Sequence, residues 1–230
     1  MRRPVLIGIH GLGNKPGHQL LSRWWKTAII EGLLEGPGVA PLFRFVLAYW
    51  ADCFYAKPLD PQRSNPHDPL FLEEPYLPGD RDLQKTKGRF GSEMVDFLRS
   101  TVDRLVLSDY FRRAAPSFTE RMVHEHFVEV EAYFSSQPAS STAPAPKELV
   151  RQRLVALLAK HRKHDITLLA HSMGSVIAFD VLSLHQDLAV DTFVTIGSPL
   201  GIPYLIHKMN EERARLQVGD LPMRVPATIK

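Results

Sequence analysis

Residues 166–182 read ITLLAHSMGSVIAFDVL: an apolar run stops at Ser172, and an amphipathic helical pattern begins at once. A strand that passes into a helix through a single serine has the shape of a nucleophile elbow. In that turn the serine backbone is held under strain and its hydroxyl is lifted above the end of the sheet. Strand and helix then run so close together that the residues two before and two after the serine must be small. Ala170 and Gly174 meet that requirement, with Ala170 standing where the usual Gly-x-Ser-x-Gly pattern has its first glycine. The competing reading of Ser172 is a plain helix N-cap, a role serine fills because its oxygen accepts a backbone N–H of the first turn.

Outward from this stretch, the runs 4–9, 43–50, 166–170 and 191–196 are apolar throughout or nearly so, without alternation. Strands buried on both faces have this pattern, as in a parallel sheet. Helical patterns lie between them. Over 19–34, Leu21, Trp24, Trp25, Ala28, Ile29 and Leu33 share a face, with Gly36 placed to end the helix. Over 147–161, after Pro146, Val150, Leu154, Leu157 and Leu158 form a second stripe. Alternation of this kind implies right-handed crossovers and an α/β fold, a three-layer αβα sandwich around a mostly parallel sheet.

Residues 51–146 break the alternation and read as a cap or lid insertion on a single domain spanning 1–230. The insertion opens with a loop, 57–83, carrying prolines at 58, 61, 66, 69, 75 and 78. That is too long for an ordinary connection and points to a lid or flap. Helical patterns follow at 92–113, with Met94, Val95, Leu98, Val102, Leu105 and Val106 on one face, and at 118–134, opened by the capping-box pair Ser117 and Glu120. The tract 135–146 is rich in Pro, Ser and Ala and reads as a flexible linker.

A chain of 230 residues buries roughly 70 to 75% of its unfolded surface and needs no covalent staple. The single Cys53 has no internal disulfide partner, which fits a reducing compartment, and it reads as a packing residue. The apolar run after Met1-Arg-Arg is too short for a signal-peptide core. No window reaches the roughly 18 to 20 apolar residues of a membrane span. A soluble, cytoplasmic protein with no integral membrane segment is expected. The 28 cationic and 25 anionic side chains are interspersed, so no nucleic-acid partner is expected. The clusters Arg112-Arg113 and 160–164 fall at expected helix ends, where cations favour the negative pole of the helix dipole.

The second chemical motif is His10-Gly11-Leu12-Gly13, just after the first apolar strand. Acyl transfer places negative charge on a former carbonyl oxygen, and two backbone N–H donors must already face it. The amides of Met173, next after the serine, and of Leu12 are the candidates. Gly11 and Gly13 let the loop backbone approach a substrate without a Cβ in the way. A phosphate loop is excluded, because Gly11-Leu-Gly-Asn-Lys-Pro-Gly17 lacks the Gly-Lys-Ser/Thr ending and the Gly-x-Gly-x-x-Gly spacing.

Two such motifs, in this order and each at the end of an expected strand, resemble the α/β-hydrolase family, particularly bacterial lipase- and esterase-like members. The resemblance covers most of the chain outside 51–146. It implies the α/β-hydrolase fold and cleavage of carboxylic esters through an acyl-enzyme on Ser172, with Leu12 and Met173 as the oxyanion-hole amides. It also implies that Gly197-Ser198-Pro-Leu-Gly201 lines the substrate pocket, with His10 and Gly11. No cofactor and no metal is implied, and the partner is a small-molecule or lipid-like ester. His171 flanks the nucleophile in the family pattern, and strand geometry points it away from the serine.

The departure from the family lies in the rest of the triad, which there follows the order Ser, Asp or Glu, His. After Ser172 the chain has only His185 and His207, and residues 224–230 read as the entry to a further strand, so the last strands are expected to be missing. Asp165 and Asp191 precede their strands and belong at the opposite sheet edge. Asp180 lies two helical turns beyond the serine. Asp52 sits at the correct edge and reads as a solvated or capping carboxylate; His207 reads as a surface residue of a helix, and His10 as a support of the oxyanion loop. No base or acid is assigned. The rival reading is a noncatalytic binding domain on the same scaffold. His124-Glu-His126 is no metal site on this reading, since helical residues two apart face different directions.

Overall fold

The computed structural model describes residues 3–34, 43–78, 130–134, 144–201, 203–216 and 225–229. In chain order these form β1 (Pro4–Ile9), α1 (His18–Leu34), β2 (Arg44–Ala48), a 3₁₀ turn (Ala51–Cys53), α2 (Pro146–His161), β3 (Asp165–His171), α3 (Met173–Leu184), β4 (Thr192–Ile196) and α4 (Pro203–Arg215). Residues 130–134 are also helical. The expected helix at 92–113 and residues 118–129 of the one expected at 118–134, with the Ser117–Glu120 capping pair, lie outside the described residues, as does the linker from 135 to 143. The linker boundary moves back, because Pro146 is already the first residue of α2 and Ala145 its N-cap. Proline is well suited to that position, where its missing N–H has no intrahelical acceptor to lose.

All four strands are parallel, in the order β2-β1-β3-β4, so the chain is of the α/β class. Ile9 pairs with both Ala48 and Ala170, which brings the carboxyl ends of the three strands level. β2 ends two residues earlier than expected because the Trp50 N–H donates to the His10 ring at 3.0 Å and not to a strand ladder.

Alternation along the strands sorts the side chains. Val5, Ile7 and Ile9 of β1 and Ile166, Leu168 and Ala170 of β3 join one buried cluster with Leu154 and Leu158 of α2, Ile177 and Val181 of α3, and Met209 of α4. Burying each such aliphatic side chain is worth about 1.5 to 3 kcal/mol. On the opposite face Gly8 meets α1: a Cβ there would lie 2.9 Å from the rings of both Trp25 and Phe45. Helices therefore flank both faces. The helix after Ser172 is not amphipathic as expected: every residue of α3 from Met173 to Leu182 is buried, so it has no solvent-facing polar stripe.

One carboxylate interrupts that apolar helix. Asp180 Oδ2 accepts from Arg151 Nε at 2.9 Å, Arg151 Nη2 at 2.6 Å and the Tyr133 hydroxyl at 3.0 Å. Arg151 also reaches Glu212 at 2.9 Å, and Lys147 pairs with Glu212. Two cations face the two buried carboxylates, the more exposed Glu148 also lies 3.0 Å from Arg151, and the set ties α2, α3, α4 and the segment 130–134 together. Removing one partner of such a buried set leaves a charge uncompensated.

The far edge is less covered. Val194 is 38% exposed and Ile196 50%. In place of the expected strand entry at 224–230, the described residues there make a turn and one parallel bridge, Ile229 to Val190, with the Val190 N–H donating to the Thr228 carbonyl at 2.9 Å. Among the described residues, no helix is long and apolar enough to cross a membrane.

Candidate functional site

From β1 the chain moves outward to β2, and from β3 it moves outward the other way to β4. The connections after β1 and β3 therefore leave in opposite senses, and the carboxyl ends of these two strands mark the switch point, the usual place for a ligand in an open parallel sheet. Ser172 stands at that place. It has φ 50° and ψ −126°, and among the described residues it is the one non-glycine with positive φ. Such a conformation costs of order 1 to 3 kcal/mol and survives only where its surroundings enforce it. Here the Ser172 N–H donates to the Ile196 carbonyl at 2.9 Å, while the Ser172 carbonyl accepts from Ser175 N at 2.9 Å and Ser175 Oγ at 2.6 Å.

Ser172 occupies the N-cap position of α3, yet its side chain makes no capping bond. The hydroxyl is thus not engaged by the helix, and the residue is only partly buried. The small residues around it have steric reasons. A Cβ on Gly174 would lie 2.6 Å from the Ile9 carbonyl oxygen and 2.7 Å from that of His10, so α3 could not pass β1 with any other residue there. A Cβ on Gly11 would lie 2.9 Å from the Ser172 Cβ, so the loop after β1 runs directly against the serine.

The two candidate oxyanion donors flank this contact. Met173 opens α3, and its N–H has no acceptor inside the helix. The Leu12 N–H likewise has no backbone partner among the described residues. His10, 1% exposed, lies beneath the loop, with Nδ1 2.9 Å from the Gly11 carbonyl and Nε2 accepting the Trp50 N–H. Those partners fix the tautomer: Nδ1 carries the proton. The Trp50 indole stacks on His10 at 4.8 Å and donates Nε1–H to its carbonyl at 2.9 Å. Burial holds the imidazole neutral, lowering its pKa to about 3. With both nitrogens engaged, His10 acts on the site through the loop it supports.

His171 lies between two loops, its Nδ1 3.2 Å and its Nε2 3.9 Å from where Cβ atoms on Gly11 and Gly197 would stand. Burial first, and then the Lys15 charge, lower its pKa. Gly197 itself has φ 55°. Ser198, in the loop after β4, is exposed, and its Oγ lies 2.7 Å from Ser175 Oγ.

The remaining candidates are placed elsewhere. Asp52 pairs with Arg153, which also donates to the Tyr49 carbonyl at 3.0 Å. Asp165 opens β3, and Asp191 accepts the Ile166 N–H at 2.7 Å, both at the opposite sheet edge. His185 caps the far end of α3. His207 is exposed, 3.4 Å from Glu211. Cys53 packs half-buried against the core, and burial raises its pKa. No group of three or more His, Cys, Asp or Glu among the described residues is arranged to hold a metal; His124 and His126 lie outside them.

Two supports of the site escaped the sequence reading. Trp50 looked like the end of an apolar strand, although its neighbours Tyr49 and Asp52 mark the same sheet edge as His10. Lys15 was given no role of its own in the sequence, yet its ammonium donates to the carbonyls of Leu12, Gly13 (3.0 Å) and Asn14 (3.4 Å). The described part of the proline-rich loop is fastened to the same place: Leu59 N–H donates to the Lys15 carbonyl at 2.9 Å, and Asn14 Nδ2 to the Lys57 carbonyl at 2.9 Å. Compared with family models, curated proteins and solved structures, the chain matches none.

Proposed function

We infer that the chain is a serine hydrolase of the α/β-hydrolase type, a three-layer fold that cleaves carboxylic esters through an acyl-enzyme on Ser172. The observation that carries this is the strained, uncapped Ser172, with φ 50° and ψ −126° and the glycine loop pressed against it. A serine needed only as a helix cap would donate or accept within the first turn, and strain of this kind has no structural benefit of its own.

In this mechanism Ser172 Oγ attacks the ester carbonyl carbon and the carbonyl π pair moves onto oxygen; when that C=O re-forms, the bond to the leaving oxygen breaks, the proton given up by Ser172 ends on the departing alcohol, and water then hydrolyses the acyl-serine to the acid and free Ser172. The N–H groups of Leu12 and Met173 hold the oxyanion, each contributing roughly 3 to 4 kcal/mol to the barrier reduction. Thioesters and amides use the same apparatus. The favoured substrate is a lipid-like or small-molecule ester, and the lone Cys53 fits a cytoplasmic location. No cofactor takes part.

A noncatalytic binding domain is the second reading, favoured by one observation: among the described residues no imidazole hydrogen-bonds to Ser172. Labelling by a fluorophosphonate probe, compared between the native chain and Ser172→Ala, tests the two. Labelling that disappears in the variant, followed by turnover of short- and long-chain acyl esters, is the expected result. Equal labelling of both, or none in either, overturns the hydrolase reading.

A further inference from the structure

The loop after β1 has conflicting requirements. Gly11 must be glycine because a Cβ would strike Ser172, and Gly13 adopts φ 84°, open to glycine and strained for other residues. Both freedoms let the intervening peptide planes flip; a flip of the Gly11–Leu12 plane would reverse the Leu12 N–H, and flips around Gly13 would shift the segment that carries it. In a trans peptide the C=O and the following N–H point in opposite directions. Whatever holds the carbonyls on one side therefore aims the amides to the other.

Two side chains do the holding. His10 takes the Gly11 carbonyl at 2.9 Å, which fixes the plane carrying the Leu12 N–H. Lys15 takes the Leu12 carbonyl, then that of Gly13 at 3.0 Å and of Asn14 at 3.4 Å, which fixes the next planes. The Lys15 backbone is itself anchored, since its N–H donates to Asn14 Oδ1 at 2.8 Å and its carbonyl accepts from Leu59. The ammonium is thus held in place from the far side of the loop.

We propose that Lys15 is a positioning residue: by gathering the carbonyls of Leu12, Gly13 and Asn14 it fixes the planes on either side of Gly13, next to the one His10 holds, and so keeps the segment that carries the Leu12 N–H seated against Ser172. The inference rests on the hydrolase reading for its catalytic consequence and on the loop geometry for its structural one. A misplacement of about 1 Å at a catalytic group costs on the order of 100-fold in rate, and that is the scale expected here.

The test compares the native chain with Lys15→Met, which keeps the length and loses the donors, and Lys15→Arg, which keeps a charged multiple donor. Lys15→Met is expected to lower the fluorophosphonate labelling rate and the kcat for an ester by about 100-fold, with KM within about threefold. Lys15→Arg is expected to regain most of that loss. Lower backbone order at Leu12 and Gly13 by 15N relaxation in Lys15→Met is the matching structural signature. Unchanged order there overturns the lock whatever the activity. Labelling of Lys15→Met at the native rate overturns the catalytic role, as does an equal loss in both variants accompanied by a lowered Tm. A native chain that takes no label at Ser172 overturns the hydrolase reading instead, and the backbone-order result then decides the lock alone.

Discussion

The two loops that border Ser172 are built to different standards. The loop after β1 is supported from beneath by His10 and Trp50, from behind by Lys15, and from the side by Asn14 and residues 57–60. The loop after β4 is exposed at Gly197 and Ser198, and its described side-chain tie to α3 is one hydroxyl pair, Ser198 to Ser175. Rigidity is thus concentrated on the side where an oxyanion would be held, where a fixed dipole is worth most because it need not reorganise as charge develops. Where an acyl or leaving group would lie, the wall is left adaptable.

The largest effect that separates the two loops is expected at Trp50. Trp50→Ala removes a ring 2% exposed, a stacking partner of His10 and the bond to the His10 carbonyl. A loss of about 3 to 5 kcal/mol in denaturant unfolding is expected. A variant within 1 kcal/mol of native would mean that the β1 loop is not held from beneath.

Acid should undo the same support. His10 is neutral in the fold, with a pKa of about 3 against an ordinary value of 6.5, so below pH 6.5 the unfolded chain binds a proton that the native chain refuses. Its contribution is fully present above pH 6.5 and is lost progressively as the pH falls toward 3, amounting to roughly 3 kcal/mol by pH 4. His10→Gln keeps a neutral acceptor and should flatten that part of the pH–stability curve while lowering stability at pH 7. A curve with the native slope in this variant would assign the acid sensitivity elsewhere.

Much of this site was legible because its parts are local or one strand apart. The strand break at Ser172, the small Ala170 and Gly174, and the His-Gly loop all follow from steric needs that a short stretch of sequence displays. Trp50 and Lys15 were not legible, for different reasons. The indole acts on a residue forty positions away, reached only once β2 is placed beside β1. Lys15 acts on carbonyls, which every residue has and no sequence pattern marks. Asp180 gave a stronger hint, since a carboxylate inside an apolar helix demands a buried cation, although nothing in its neighbourhood named Arg151. The strands came out within two residues of expectation because their apolar runs are fixed by burial on both faces of the sheet.

Ser172→Gly should separate strain from function at the boundary between the loops. Glycine adopts φ 50°, ψ −126° without a Cβ penalty, so the variant is expected to gain about 1 to 2 kcal/mol while losing all probe labelling. Ser172→Ala keeps the Cβ and should lose labelling without that gain. Equal stability of the two variants would show that the elbow stores no strain.

The smallest effect is expected on the adaptable side. Ser198→Ala breaks the hydroxyl pair with Ser175, but Ser175 Oγ keeps its bond to the Ser172 carbonyl at 2.6 Å, so no buried donor is orphaned. A change below about 1 kcal/mol follows from the net worth of one neutral hydrogen bond. Any kinetic change should fall in KM for long acyl chains and not in kcat, because the Gly197–Gly201 segment would touch the substrate without holding the oxyanion. A drop in kcat of tenfold or more would place the loop after β4 on the same footing as the loop after β1, and the asymmetry between them would then describe packing alone.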